Sequence, residues 1–576
     1  MTSAPPDLLA RARDWADQDP DPETRAEVEA LLVRLGDEAH EDRDAEDDDR
    51  SAARDELARL FTGALAFGTA GLRGPMAPGP AAMNRVTVAR ATAGLAAWLA
   101  AEGADQAPDG PLRVVVGYDA RYRSDRFARD VCEIFAGAGI EAHVLPRTLP
   151  TPVLAYAVRA LGCAVGVMVT ASHNPPADNG YKVFLADGAQ LSPPHDEAVA
   201  AHIDAVGRVD ELARSEAYAV VDEQLVTDYR TSVGAVVPDG PRELRVVYTP
   251  MHGVGRETAL AVLREAGFPE PYVVSEQGDP DPDFPTVDFP NPEEPGALDL
   301  ALALAQRVGA DVIIANDPDA DRCAVALPRD PILGDWQVLT GDQIGALLGA
   351  HVAASATPGT LACTLVSSSL LGRIAAKAGR EHAETLTGFK WLARVPDLAF
   401  AYEEAIGYCV DPANVRDKDG ISALLLVAHL AATRKSEGRL LVEDLDDLAR
   451  EHGLHVTDQL SLRLASQDEA ARLLEEFRAA PPEQLGGHEV TAVEDLRDPA
   501  SFGSDLPPTD GTRLRLGDAA RVVIRPSGTE PKLKCYLEVV VPVAADADAD
   551  ALAEARDKGS STVAAVTADL RSCLES

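Results

Sequence analysis

The chain has 576 residues, 46% of them apolar, and sets 53 Lys and Arg against 94 Asp and Glu, a formal net charge of −41. At about 150 residues per domain this length predicts roughly four folded units, not one core. So acidic a surface repels nucleic acid and anionic membrane, and it leaves room only for a small anion where a few basic residues converge.

The opening residues, "MTSAPPDLLARARDWADQ", lack a cationic start followed by an apolar core, and no stretch reaches the 18 uninterrupted apolar residues of a membrane span. A soluble, cytoplasmic protein is expected. Seven cysteines lie far apart with no CxxC pair, which predicts buried thiols in place of a disulfide framework or a zinc site. The first 60 residues read as helices. Their acidic run "EAHEDRDAEDDDRSAARDEL" is expected to be a solvated helix face or a linker.

From Leu112 the pattern changes to short β-rich runs followed by helical stretches: "LRVVVGYDAR", then "GCAVGVMVTASH". The same grammar restarts at "ELRVVYTPMHGVGRETALAVLREAGF" and "GADVIIANDPDADR", and again at "LTGDQIGALLGAHVA" and "GTLACTLVSSSLLGRIAAKAG". Strands alternating with helices predict α/β layers. Between them "QGDPDPDFPTVDFPNPEEPG" is too rich in Pro, Asp and Gly for regular structure and is expected to be a surface loop. From about His455 an Ala-rich helical portion precedes "TRLRLGDAARVVIRPSGTEPKLKCYLEVVVPV", two or three strands flanking a turn, which predicts a smaller α+β unit. The expected units are a helical extension (1–60), then 61–240, 241–335, 336–455 and 456–576.

Four polar loops carry the chemistry. "GTAGLRG" (68–74) lets backbone N–H groups approach an anion, with Arg73 able to fork onto a phosphate, although an ordinary glycine turn reads as well. "VMVTASHNPPADNGYK" places Ser172 just beyond a buried strand, where a serine can carry a phosphoryl group covalently. His173 and Lys182 are its candidates for handling a proton or neutralising charge; the alternative is an Asx-Pro turn at Asn174 and Pro175. In "NDPDADR", Asp317, Asp319 and Asp321 alternate after an apolar strand and present hard oxygen ligands suited to Mg²⁺. In "RPSGTEPK", Arg525, Ser527, Gly528, Thr529 and Lys532 surround one turn with donors, as a phosphate cradle requires.

Charge links these loops. A phosphoserine brings about −1.5 to −2 and the aspartates −3, so one Mg²⁺ leaves negative charge that Arg322, Lys182 or Arg73 must offset. A phosphoryl carrier, a cation and a separate phosphate cradle together describe transfer between two positions of a phosphorylated small molecule.

In content and order, "GTAGLRG", "TASHNP", "DPDADR" and "RPSGTEPK" resemble the motifs of the α-D-phosphohexomutases, across most of the chain. The resemblance implies three related mixed α/β domains and a smaller C-terminal α+β domain around a central cleft. It makes Ser172 the phosphoserine, which with Asp317, Asp319 and Asp321 holds one Mg²⁺ per active site. It gives Arg525, Ser527, Gly528 and Thr529 the substrate phosphate, and Glu404, in "YEEAIGY", a sugar hydroxyl. "GFKW" (388–391) looks like a second specificity segment, with Lys390 as ligand contact. The sugar loop departs from the common bacterial G-E-x-S-G-H: Glu403 replaces the first glycine, Ile406 the serine and Tyr408 the histidine. With "RDKDGISA" it resembles more closely the subgroup of animal phosphopentomutase and glucose-1,6-bisphosphate synthase.

The implied activity is a phosphosugar mutase working between the 1- and 6-positions of a hexose, glucose or mannose, or the 1- and 5-positions of a pentose. It would pass through a sugar bisphosphate, which also serves as activator. Mg²⁺ and Arg322 would stabilise the transferring phosphoryl group. Lys182 or His173 is the proton acceptor, with Lys182 preferred as base and His173 positioning the phosphoryl group. The cradle domain is expected to hinge. The expected partner is a sugar phosphate, with the protein a monomer or homodimer that binds no nucleic acid and no membrane. Two other readings are a sugar-bisphosphate synthase and a non-catalytic phosphosugar-binding protein, though binding alone needs neither Ser172 nor the three aspartates.

Overall fold

The computed structural model of the protein describes residues 6–36, 43–65, 71–103, 110–330, 334–527 and 531–575. Three helices come first, Pro6–Gln18, Pro22–Gly36 and Arg43–Phe61. Trp15, Val28, Leu57 and Phe61 are buried together against Val86, Ala89 and Ile134 of the following unit, while Asp55 and Glu56 stay exposed. The acidic run is therefore helical from Arg43, with Asp49, Asp55 and Glu56 exposed, while its residues 38–42 lie outside the described residues.

Three mixed sheets follow. In spatial order the first is Leu72–Pro75, Asp178–Leu185, Val165–Val169, Arg113–Tyr118, Glu141–Val144 and Ala219–Val220. It is antiparallel up to Val165–Val169 and parallel beyond. The second orders Asp335–Val338, Ala324–Asp330, Val312–Ala315, Val246–Thr249 and Tyr272–Val273; the third, His382–Thr385, Thr360–Thr364, Leu398–Glu403 and Gly407–Cys409. Each combines parallel pairs with an antiparallel edge. The central strands Val165–Val169 and Val312–Ala315 are buried at every residue, which is why they read as unbroken apolar runs. Both end at a polar loop, on the side of an α/β sheet where ligands bind.

The fourth sheet is wholly antiparallel, in the order Leu454–Arg463, Lys532–Val541, Ala520–Pro526, Thr512–Leu516 and Ala492–Asp495; three of these strands lie in the stretch expected to hold two or three, and Leu454–Arg463 and Ala492–Asp495 add two more. The half-exposed alternation of Leu454–Arg463 hid that strand among helical signals. Helices Gln467–Ala479 and Ala549–Glu575 pack on this sheet.

One apolar cluster runs through the first three units, from Val115 and Leu154 to Ile314, Leu348 and Leu424. Helix Gly420–Ser436, apolar nearly all round, lies within it. The strand-end loops are therefore held together by a shared core. Six of the seven cysteines are buried free thiols, as expected, whereas Cys573 is exposed. No described helix is long and apolar enough to cross a membrane.

Candidate active site

Ser172 sits three residues beyond Val165–Val169 in a left-handed backbone conformation (φ 53°), and it is 3% exposed. Its N–H donates to Thr170 Oγ1 at 2.9 Å, and its hydroxyl donates to Asp317 Oδ2 at 2.7 Å. His173 Nδ1 lies 3.2 Å from the same Oγ. A residue that sequence reasoning missed holds the loop in this shape. Buried Arg121 donates to the carbonyls of Ser172 and Asn174, both at 2.6 Å, of Pro175 at 2.8 Å and of Asp178 at 3.2 Å. Asp119, 3.4 Å away, balances its charge, and the Phe284 ring lies against its guanidinium at 4.9 Å. The segment 277–296 has no helix or strand beyond Gln277, the last residue of a 3-10 turn, yet Phe284 is buried, so the segment covers the Ser172 loop instead of lying free on the surface.

The chain returns as strand Asp178–Leu185, which carries Lys182 opposite Met168 and pairs Gly180 with Arg73. Gly71 begins this approach at φ +81°, where a Cβ would stand 2.2 Å from the Tyr181 carbonyl. Of "GTAGLRG", residues 68–70 lie outside the described residues.

Asp317, Asp319 and Asp321 are all fully buried, with one oxygen from each lying within 4.8 Å of the others. Lys182 Nζ bridges Asp319 at 2.8 Å and Asp321 at 3.0 Å. Lys418, from the third unit, reaches Asp321 at 3.5 Å, and Arg322 Nε is 4.0 Å from it. Thr151, the first residue of helix Thr151–Ala160, donates its hydroxyl to Asp319 at 2.6 Å and its N–H to the Asp319 carbonyl at 2.9 Å. The positive end of that helix therefore faces the triad.

Burial and the two neighbouring carboxylates push Asp317 well above the usual carboxylate range. Burial also opposes ionisation of Asp321, but Lys182 and Lys418 outweigh it and hold that group below the range. His173 is driven well below the usual imidazole value by burial, then by Arg322 and Arg73, so its ring is neutral. Burial works against the Lys182 ammonium, yet Asp319 and Asp321 raise its pKa and keep it charged.

The cluster fits a divalent cation. Asp319 Oδ1 and Asp321 Oδ1 are buried without a hydrogen-bond partner, an arrangement that costs about 1–3 kcal/mol per group unless something binds them. Lys182, Lys418 and Arg322 surround the three carboxylates, but Lys418 is shared with Asp417 at 3.6 Å and Arg322 with Glu293 at 3.8 Å, so the cluster holds no spare cation. A phosphoryl group of about −2 on Ser172 then needs a further +2.

The third unit contributes the sugar-loop residues. Glu404 accepts the Thr364 hydroxyl at 3.1 Å and the Ser367 hydroxyl at 3.4 Å. Its pKa is pushed up to about 7 by burial, then by Glu403 and Asp342. Ile406 is 1% exposed with φ 52°; it packs into the common core and its carbonyl accepts the Cys323 N–H at 3.1 Å. It replaces a hydroxyl with a packed side chain. Arg322 bridges to Gly407, and Gly420 abuts the Arg322 carbonyl so closely that a Cβ would stand 2.2 Å from it. The metal loop and the sugar loop are thus knitted backbone to backbone. Lys390 instead pairs across units with Asp196 at 3.6 Å.

In the fourth unit Arg525 hydrogen-bonds Tyr536, whose hydroxyl also feels Glu404, so the cradle strands face the sugar loop. The Ser527 N–H donates to the Lys532 carbonyl at 2.8 Å. Gly528 and Thr529 lie outside the described residues. Arg521 anchors this sheet to the third unit. It pairs with Glu538 at 2.6 Å and donates to the Ser367 carbonyl, while Ser368 donates to Glu538 at 2.6 Å. Glu293, from the Pro-rich segment, lies 3.8 Å from Arg322. Arg121, Glu293, Lys418 and Arg521 all escaped sequence reasoning; only Lys418, a lysine between two aspartates in "RDKDG", offered a signal.

The chain matches all four domains of the phosphoglucomutase/phosphomannomutase family: alpha/beta/alpha domains I, II and III over residues 64–209, 227–330 and 340–450, and the C-terminal domain over 481–555. It is 46% identical over 473 residues to a Haemophilus influenzae protein named "Probable phosphomannomutase", covering 81% of this chain and 95% of that one. With human phosphopentomutase it shares 34% over 542 residues, 85% of this chain and 87% of the other. The solved Paramecium phosphoglucomutase pp63/parafusin, in its open form, has the same fold at 20% identity, with a TM-score of 0.63 over 88% of this chain and 95% of that one. The chain belongs to the α-D-phosphohexomutase family and is a phosphosugar mutase, an intramolecular phosphotransferase.

Proposed function

We propose that this mutase carries a phosphoryl group on Ser172 Oγ and exchanges it between two oxygens of a bound aldose phosphate. The oxygens are O1 and O6 of a hexose, or O1 and O5 of a pentose. The observation that carries this reading is the Ser172 hydroxyl on Asp317 at 2.7 Å, inside a carboxylate triad with two unpartnered oxygens. Asp317, Asp319 and Asp321 would hold Mg²⁺ together with the Ser172 phosphoryl group, and the bound ion would supply positive charge to the transferring oxygens.

The chain's own residues do the rest. Arg121 fixes the Ser172 loop so that Oγ points at the triad. His173 Nδ1, 3.2 Å from that oxygen, is the group placed to take or return its proton. Lys182 Nζ is engaged by two carboxylates, which supports a neutralising role over that of a base. Arg73 and Arg322 add charge beside His173. Arg525, Ser527, Gly528, Thr529 and Lys532 grip the phosphate of the substrate that is not transferring. Glu404 takes a sugar hydroxyl, with Lys390 as a second ligand contact. A sugar bisphosphate formed by transfer from Ser172 turns over in the cleft and returns its other phosphate; added bisphosphate primes Ser172.

Intact-mass measurement before and after glucose 1-phosphate, mannose 1-phosphate or ribose 1-phosphate tests this. The expected result is one phosphoryl group that disappears in Ser172→Ala, with isomerisation that needs Mg²⁺ and a trace of bisphosphate. Ser172→Ala protein that isomerises at the wild-type rate overturns the mechanism. The sugar with the largest kcat/KM assigns the substrate.

A further inference from the structure

A cavity of about 240 Å³ lies where the second, third and fourth units meet; of the active-site residues named above only Asp342 and Ser368 line it, behind the sugar loop and the Arg521–Glu538 pair. Two buried polar atoms in its wall have no partner, His455 Nε2 and Gln337 Oε1. His455, with a side chain 2% exposed, spends Nδ1 on Glu538 Oε1 at 2.9 Å, so Nε2 is the ring atom left to the cavity. Gln337 donates Nε2 to Gln343 Oε1 at 3.3 Å, which fixes its amide with Oε1 left over. A hydroxyl, which can donate or accept, suits both positions. Two guanidiniums, Arg329 and Arg556, line the same space beside the carboxylates of Asp342 and Asp446; Asp446 pairs with Arg556 and also attracts Arg329, whose charge Arg556 opposes.

We propose that this cavity binds a small hydroxylated anion, its acid group between Arg329 and Arg556 and its hydroxyls on His455 Nε2 and Gln337 Oε1. Such an anion adds to Asp446 in offsetting the two arginines and gives both unpartnered atoms a hydrogen bond. A phosphate ester and a carboxylate share this chemistry. Because the walls come from three units, occupancy ties them together and raises the thermal midpoint by mass action.

The test uses the full chain, with glycerol 3-phosphate and gluconate as separate calorimetric probes on wild type, Arg329→Gln and Gln337→Leu. At least one probe binds wild type with a Kd below ~1 mM and raises its midpoint, and each substitution weakens binding about tenfold, equivalent to 1.4 kcal/mol. Mutase activity without probe is unchanged in both variants. Which probe binds distinguishes a phosphorylated from a carboxylic ligand. Failure of both probes to bind means the cavity holds water alone and overturns the proposal. Binding that survives both substitutions places the probe elsewhere and overturns it equally. Loss of the mutase activity of Ser172 leaves this test unaffected, because it reads binding.

Discussion

Replacing Arg121 with methionine removes the donor for four backbone carbonyls of the Ser172 loop and leaves Asp119 buried without its counter-ion. Charge-assisted bonds are worth about 1.5–3 kcal/mol each, but the four do not add, because the loop relaxes and water reaches some of its carbonyls. Breaking one buried ion pair costs about 3–5 kcal/mol, which sets the expected loss of unfolding free energy for the first unit. The catalytic effect is separate. Ser172 Oγ stands 2.7 Å from Asp317, and a drift of about 1 Å in so tight a geometry costs on the order of 100-fold in rate. The assay is kcat with a sugar 1-phosphate, measured where circular dichroism shows the variant folded, alongside the extent of Ser172 phosphorylation by intact mass. Arg121→Lys keeps the charge with fewer donors and a different shape, and it should recover part of the stability but little of the rate. If Arg121→Met phosphorylates fully and turns over within about threefold of wild type, the loop does not depend on this guanidinium and the reasoning fails.

Glu404 carries a pKa near 7 against an ordinary 4.5, so the folded state binds its proton more tightly than the unfolded chain. Stability therefore falls as pH rises between those two values, and Glu404→Gln flattens that slope in urea titrations run at several pH values. Ile406→Ala should lower stability by about 2–4 kcal/mol, since a buried Ile is lost, and should leave KM for the sugar phosphate nearly unchanged because the side chain packs inward. A large rise in KM without loss of stability would instead make Ile406 a sugar contact. Arg521→Leu removes the donor to the Ser367 carbonyl; because the Ser367 hydroxyl also holds Glu404, KM should rise more than kcat falls. A double-mutant cycle with Glu404→Gln should be non-additive, and strict additivity would show that the cradle unit is not coupled to the sugar loop.

The candidate groups were legible because strand-end loops gather them within a few consecutive residues: Ser172 with His173, the three alternating aspartates, the turn around Ser527. Central strands such as Val165–Val169 announced themselves as apolar runs for the same local reason. What holds the groups in place was not legible. Arg121 meets Ser172 across 51 residues, and Arg521 meets Ser367 across 154; at those separations a pattern of residue types carries no information about contact. The Pro-rich segment misled in a related way. Its composition excludes helix and strand, as observed, but says nothing about whether the segment is buried, and Phe284 and Glu293 both reach the site from it.

Lys418 shows what that blindness hides about the chemistry. Counting cations near the loops in sequence yields Lys182, Arg322 and Arg73, all from the first two units. In the folded chain Asp321 takes part of its compensation from the third unit, through Lys418 at 3.5 Å, and the same lysine lies 5.3 Å from the ring of Phe389 in the GFKW segment. The cations around the triad therefore come from the first three units together, and Lys418 and Arg322 are shared with Asp417 and Glu293. A phosphoryl group on Ser172, as proposed above, would add about two negative charges to a cluster whose nearby cations are already engaged. Another side chain would bring only one charge and would need room that three fully buried carboxylates do not leave. A small divalent ion on the unpartnered oxygens of Asp319 and Asp321 would meet both demands, and its binding would then depend on the assembly of the domains and not on the DPDADR loop alone.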